Sequence, residues 1–152
     1  GGENVSKLLL HAGAKPDLQD PGGWTPLKTA ASKGHVEFVK LLLKKAGVKP
    51  YPQDGGADTP LWRAASKGHA EVAKLLLEAG ADLDGTGPDG RTALMIFAHA
   101  GDQEMVKALL TEGADVMPRD NVMKSAEQLA HLESHPKVEK LIDEYTPHGW
   151  AL

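Results

Sequence analysis

The stretch Thr-Pro-Leu-Trp-Arg-Ala-Ala-Ser-Lys-Gly-His at residues 59–69 recurs along this chain. The same phrase, with Lys-Thr in place of Trp-Arg, lies 34 positions earlier at residues 25–35. A looser copy opens with Thr-Ala-Leu at residues 92–94, and a degraded one with Ser-Ala at residues 125–126. A fixed period near 33 residues indicates a stack of similar units rather than one globular core.

Each phrase predicts a short helix that is followed by a second one. Thr59 is expected to cap the first helix through its hydroxyl, and Gly68 to end it in a left-handed conformation. The second helix is predicted from about residue 70 to 79. Its apolar stripe, at i, i+3, i+4 and i+7, consists of Val72, Leu75, Leu76 and Ala79. Because such short helices are marginal alone, the stripe must pack on a neighbouring unit, and Leu75→Ala is expected to cost about 2–5 kcal/mol.

Leucine runs recur in register with the phrases and are expected to join the units. They lie at residues 8–10, 41–43 and 75–77, and thin to Leu-Leu at 109–110 and Leu-Ile at 141–142. One residue is inserted near Lys44-Lys45, and it produces the single spacing of 34 residues.

These phrases resemble the ankyrin repeat, whose pattern is Thr-Pro-Leu-His-x-Ala-Ala, then Gly-His, Leu-Leu and Gly-Ala. The resemblance covers the chain from about Val5 to Tyr145. It implies an all-α repeat solenoid of stacked ankyrin-type helix pairs with short β-turn or hairpin fingers. The family His that follows Leu is replaced here by Lys28, Trp62 and Met95, which puts the hydrogen bonds of that His in question.

The register of the repeat divides the chain into six segments. They are a partial N-terminal repeat with only a second helix at residues 1–20, repeats at 21–54, 55–87 and 88–120, a C-terminal capping repeat at 121–145, and a tail at 146–152. A start halfway through a unit is expected of a piece of a longer protein or of a minimal cap. The tail is expected either to pack on the capping repeat or to lead into a further segment.

Composition excludes several classes of function. A net charge of -4 and a pI near 6.0 argue against general nucleic-acid binding. The sequence contains no cysteine, so disulfides and thiolate metal sites are absent. No apolar run reaches the roughly 18 residues of a membrane span, and no signal peptide is visible. We therefore expect an intracellular protein, cytoplasmic or nuclear, without a membrane partner.

Two patterns suggest enzymatic chemistry, and each has a plainer explanation. Residues 85–90 match G-x-G-x-x-G, but they interrupt the pattern with Pro88 and follow no hydrophobic strand, so a nucleotide site is not expected. A set of Ser, His and Glu occurs at residues 32, 35 and 37 and again at 66, 69 and 71. A catalytic triad has no reason to recur in each unit. We expect His35 and His69 to bond backbone in the turn between helices.

His131 and His135 are four residues apart, a spacing that on one helix favours zinc. They are predicted to lie on either side of an inter-helix turn, so no metal site is expected. The sequence therefore predicts no catalytic residue, no cofactor, no metal and no small-molecule substrate.

The ankyrin resemblance implies a protein-interaction module whose concave face is formed by the fingers and the exposed side of the first helices. The predicted partner-binding residues are Trp24, Lys28, Lys33, Asp58, Trp62, Arg63, Lys67, Arg91, Met95 and His99. Because this set is basic and aromatic, an acidic or hydrophobic-acidic partner is expected. Trp24 is expected to be exposed and to contact the ligand, whereas Trp62 is expected to pack.

Two other functions stay open on sequence grounds. The chain is alternatively the regulatory or substrate-recruiting arm of a larger enzyme, and the basic residues admit nucleic-acid binding as the weakest alternative. A monomer is expected, with an end-to-end dimer through an exposed first helix left open.

Overall fold

The computed structural model describes residues 13, 15–50 and 58–147, apart from the side chain of Lys45. Three predictions fall wholly or partly outside these residues. They are the second helix of the partial N-terminal repeat, the finger tip at residues 54–57, and the end of the C-terminal tail.

The first of two compact units comprises Gly1–Asp82. In the described part of this unit the helices are α1 (Pro26–Lys33), α2 (Val36–Lys40), which continues as a π-helical turn over Leu41–Lys45, α3 (Pro60–Ser66) and α4 (Ala70–Glu78). α1 packs on α2 and α3 on α4, forming two antiparallel pairs. The pairs stack through α1 with α3 and through α2 with α4.

The second unit comprises Leu83–Leu152 and repeats this arrangement. Its helices are α5 (Ala93–Ala100), α6 (Gln103–Thr111), α7 (Ala126–Leu132) and α8 (Pro136–Tyr145). α5 packs on α6 and α7 on α8, while α5 contacts α7 and α6 contacts α8. The predicted fold class, an all-α repeat protein built of ankyrin-type helix pairs, is confirmed.

The first helix of every described repeat begins at a hydroxyl cap, as predicted. The side chain of Thr59 accepts a hydrogen bond from the Trp62 amide at 3.0 Å, and Thr25 and Thr92 cap α1 and α5 in the same way. Ser125 forms a full capping box with Gln128 on α7. Gly68, which follows the C-cap residue Lys67 of α3, has φ +76°, which confirms the predicted left-handed end.

The buried face of the second helices differs from the predicted stripe. In α4 the buried residues are Val72, Ala73, Leu76 and Leu77. Leu75 is only half-buried and Ala79 is exposed, so the prediction that they belong to the core stripe is wrong. The reason is that α4 packs on α3 of its own pair and also on α2, which turns the buried sector toward positions 73 and 77.

The connections between pairs carry very little strand. Among the described residues, one isolated antiparallel β-bridge joins Thr86 and Thr92. No helix in the described ranges is both long and apolar enough to span a bilayer.

Candidate partner-binding site

The turn before α1 fixes the position of Trp24. Asp20 Oδ1 accepts hydrogen bonds from the backbone amides of Gly22 at 2.8 Å and Trp24 at 2.9 Å. The amide of Asp20 in turn donates to the carbonyl oxygen of Trp24 at 2.9 Å. This aspartate-capped turn fixes the backbone of Trp24 and therefore the position from which its indole extends.

Arg63 of α3 lies against that indole. Its Cζ is 4.5 Å from the ring centroid of Trp24 and 5.2 Å from that of Trp62. Its Nε and Nη2 each donate to a carboxylate oxygen of Asp58 at 2.7 Å. We call Trp24, Arg63 and Asp58 the Trp24 cluster. It joins the finger before α1 to the start of the next repeat, and its arginine and aspartate side chains are 24% and 39% exposed.

The cluster differs in one respect from the sequence expectation. Trp24 is half-buried rather than fully exposed, because the guanidinium of Arg63 lies over its ring. A cation stacked on an indole contributes roughly 0.5–2 kcal/mol, depending on how far it is desolvated. The pairing of Trp24 with Arg63 has no signal in the sequence, since the two side chains belong to different repeats.

Two of the predicted contact residues, Met95 and Lys28, need correction because the fold covers them, whereas the burial of Trp62 agrees with the expectation that it packs. The exposed fractions are 1% for Met95, 6% for Lys28 and 9% for Trp62. The Nζ of Lys28 donates to the carbonyl oxygen of Gly23 at 3.2 Å, so its charge supports the finger. The Nε1 of Trp62 is buried without a hydrogen-bond partner among the described residues. A partner cannot reach side chains that are covered to this extent.

Lys33 and Lys67 lie at equivalent positions, where α1 and α3 end. Both side chains are exposed. Cations at helix C-termini are favoured by the helix dipole, so these lysines also suit their own helices. They are the predicted cationic residues of the first unit that solvent reaches most fully.

Arg91 in the second unit is held by two aspartates. Its Nε is 3.3 Å from Asp120 Oδ2 and 3.8 Å from Asp89 Oδ2. Asp120 is 4% exposed, and burial by itself raises the pKa of its carboxyl. The backbone amides of Lys124 and Val122 and the guanidinium of Arg91 outweigh this effect, so the pKa lies below its ordinary value of 3.8.

Histidines in the inter-helix turns connect consecutive repeats. The Nε2 of His69 is 3.1 Å from the carbonyl oxygen of Ser32, which confirms its expected backbone bond. His135 Nε2 lies equally 3.1 Å from the carbonyl oxygen of His99. The imidazoles approach so closely that a Cβ at Gly34 would lie 2.6 Å from the ring of His69. This explains the Gly-His phrase as a packing requirement between repeats.

The same contacts argue against the two catalytic interpretations. Ser66 Oγ donates to the carbonyl oxygen of Arg63 at 3.0 Å, not to a histidine. In the G-x-G-x-x-G segment, the amides of Gly87 and Gly90 bond within their own turn. Asn121 closes over that turn by donating to the carbonyl oxygen of Pro88 at 2.9 Å. The sequence analysis does not predict this contact of Asn121, because nothing local in the sequence places it against a neighbouring finger.

The two histidines with zinc-like spacing lie in different elements, as predicted. His131 belongs to α7, whereas His135 precedes the first turn of α8. His131 Nδ1 instead lies 3.2 Å from the carboxylate of Glu139. Among the described residues, no group of three or more His, Asp or Glu side chains is arranged to hold a metal ion.

Comparison with known families agrees with the repeat geometry. A family model described as ankyrin repeats in three copies matches residues 1–87, and one for a single ankyrin repeat matches residues 89–121. Proteins of this family are generally protein-interaction modules and are typically not enzymes. The matches cover most of the chain, and the helix pairs and hydroxyl caps fit them. The chain therefore belongs to the ankyrin-repeat family.

Proposed function

We propose that the first unit binds an acidic or hydrophobic-acidic segment of a partner protein through the Trp24 cluster, with Lys33 and Lys67 supplying the positive charge. The observation that carries this proposal is the stacking of Arg63 on the half-buried ring of Trp24, with Asp58 fixing the guanidinium by two 2.7 Å hydrogen bonds. An aromatic residue that is already held in place loses little side-chain entropy when a partner packs on it.

The roles within this surface differ from those expected for a plain basic patch. Because Arg63 is paired with Asp58, its main contribution is to position the indole rather than to attract an acidic partner. Lys33 and Lys67 are exposed and therefore better placed to speed association with a negatively charged segment. Tryptophan and arginine are the residues that most often dominate binding energy at such sites.

Arg91 and His99 of the second unit are assigned a smaller part. Arg91 already contacts Asp120 and Asp89, and His99 Nδ1 is 3.7 Å from a carboxylate oxygen of Glu133. A partner would have to compete with these carboxylates, so we propose that both side chains contact it at the edge of its footprint.

The proposal is tested by affinity capture from a native lysate and by measuring Kd for the captured partner. Trp24→Ala should weaken binding about 30-fold, which corresponds to a hot spot of roughly 2 kcal/mol. The Lys33→Glu/Lys67→Glu variant should slow association and reduce its salt dependence.

The matched control is Lys107→Glu/Lys137→Glu, which makes the same charge change at exposed lysines of α6 and α8. It should leave the affinity close to that of the wild-type chain. A partner that binds all four proteins equally tightly would show that the Trp24 cluster is not the binding surface.

A further inference from the structure

The inserted residue in the first repeat is absorbed by the π-helical turn. The amide of Ala46 donates to the carbonyl oxygen of Leu41 at 3.2 Å, one residue further back than in an α-helix. The next bond, from the amide of Val48 to the carbonyl oxygen of Leu42 at 3.0 Å, closes the helix end. It takes the place of the bonds from Ala81 to Leu76 and from Ala114 to Leu109 in the later repeats, but it spans six residues instead of five. The insertion therefore changes only the last turn of this helix.

That turn changes which leucine of the run is buried. In the later repeats the third position of the run is covered, with Leu77 6% and Leu110 3% exposed. In the first repeat Leu41 and Leu42 are buried instead, and Leu43 is only half-buried. The π-helical turn thus rotates an aliphatic side chain out of the core toward the surface.

Leu43 contributes to a pocket of about 400 Å³ between this turn, the following loop and the end of α4. The apolar lining comes mainly from Leu43, Val48 and Leu75. The charged lining is Lys40, Lys44, Lys49 and Glu78. The pocket lies within the first unit and includes none of the residues of the Trp24 cluster.

We propose that this pocket is a second partner site, which takes an aliphatic side chain from an acidic peptide segment of a partner protein. Lys40 is paired with Glu37 at 3.2 Å, whereas Lys44 and Lys49 are exposed, and Glu78 is the one acidic residue among the described lining residues. The lining is therefore net positive in a chain whose net charge is -4. The volume falls in the range of about 300–1,000 Å³ that is usual for ligand pockets.

A physical argument connects the π-helical turn to binding. Short π-helical segments are uncommon and occur frequently at functional sites. The later repeats close the same helix end without one, so the fold itself does not require it. What the turn adds is a half-buried leucine beside exposed lysines, which is the combination that an aliphatic and acidic segment would match.

The test is an NMR titration in which a probe peptide of alternating aspartate and leucine is added to the whole isotope-labelled chain. The largest chemical-shift changes should occur at Leu43, Val48 and Leu75. Peptides in which lysine replaces aspartate, or serine replaces leucine, should bind at least about tenfold more weakly, since one loses the charge match and the other the apolar insertion.

Two variants separate this pocket from general electrostatics. Lys44→Glu/Lys49→Glu should weaken binding of the probe peptide at least about tenfold, whereas the same charge change at Lys107→Glu/Lys137→Glu, which lies outside both proposed sites, should leave its affinity unchanged. Deletion of Lys45 restores the 33-residue spacing, so it should bury Leu43 and abolish the NMR shifts while the circular dichroism stays native.

Several outcomes would overturn the proposal: no chemical-shift changes at Leu43, Val48 and Leu75, equal binding of the serine peptide, or full binding by the folded deletion variant. These outcomes are distinct from a failure of the proposed function, because that proposal is tested by the affinity of the Trp24→Ala variant for the captured partner and not by the probe peptide.

Discussion

Asp120 repeats, in the last finger, the turn that Asp20 forms in the first. Its Oδ1 accepts hydrogen bonds from the amides of Val122 at 3.1 Å and Lys124 at 2.8 Å. Met123 occupies the left-handed position of this turn with φ +65°, where two other described fingers have Gly23 and Gly90. An ionised Asp120 thus stabilises a turn whose backbone is unfavourable for methionine.

The pH dependence of stability follows from the lowered pKa of Asp120. The carboxylate contributes stability above the unfolded value of 3.8, and this contribution is lost as the pH falls through the lower folded pKa. Asp120→Asn should therefore cost roughly 1 kcal/mol at neutral pH and progressively less as the pH falls below 3.8. Urea unfolding midpoints between neutral and acidic pH would measure this convergence.

Arg91→Gln serves as the comparison for that variant. Arg91→Gln should lower the free energy of unfolding less than Asp120→Asn does, because the backbone amides of Lys124 and Val122 lower the pKa of Asp120 more than Arg91 does. A destabilisation by Asp120→Asn that stays constant at every pH would contradict the assignment.

Second helices bury a sector that is set by two neighbours. Leu76 is fully buried, whereas Leu75 directly before it is half-buried. Leu76→Ala should lower the free energy of unfolding by about 2–5 kcal/mol, the cost of removing a large side chain from a packed core.

Leu75→Ala is the matched control for this helix, since it removes the same atoms with the same change in helix propensity. We expect less than half of the loss, in place of the full core cost that the sequence pattern predicts. Chemical denaturation of both variants measures the two losses in unfolding free energy. A larger loss for Leu75→Ala than for Leu76→Ala would refute the observed helix orientation.

The second unit ends with a helix pair that we propose as its cap. Val138 and Ile142 of α8 are buried, while Lys137, Lys140 and Glu144 of the same helix are exposed. In a repeat protein each repeat mainly contacts its neighbours, so a terminal repeat must cover one apolar face and present a polar one.

Truncation tests this role at the scale of the whole chain. A variant that ends at Asp120 loses α7 and α8, which contact α5 and α6. It should unfold at lower denaturant and self-associate, because the uncovered faces are apolar. A variant that ends at Pro147 retains both helices and should behave as the wild-type chain in sedimentation and unfolding. Equal stability of the two would refute a capping role for residues 121–145.

The sequence by itself determined the repeat, its family, the paired helices and their hydroxyl caps. These features depend on residues that are close in the chain, such as Thr59 with Trp62 and Gly68 with its helix end, and their signal is repeated in each unit. A backbone bond of His69 was also predicted, but the sequence did not show that its partner, the carbonyl oxygen of Ser32, belongs to the previous repeat.

Only the tertiary structure decided which side chains a partner can reach and where new sites arise. Met95 and Lys28 are buried, and Arg63 is shared between Trp24 and Asp58, because neighbouring repeats cover or contact these positions. The inserted residue was visible in the sequence, but its conversion into a π-helical turn that exposes Leu43 was not. Such outcomes depend on packing between residues that are far apart in the chain, and a local pattern carries no record of that packing.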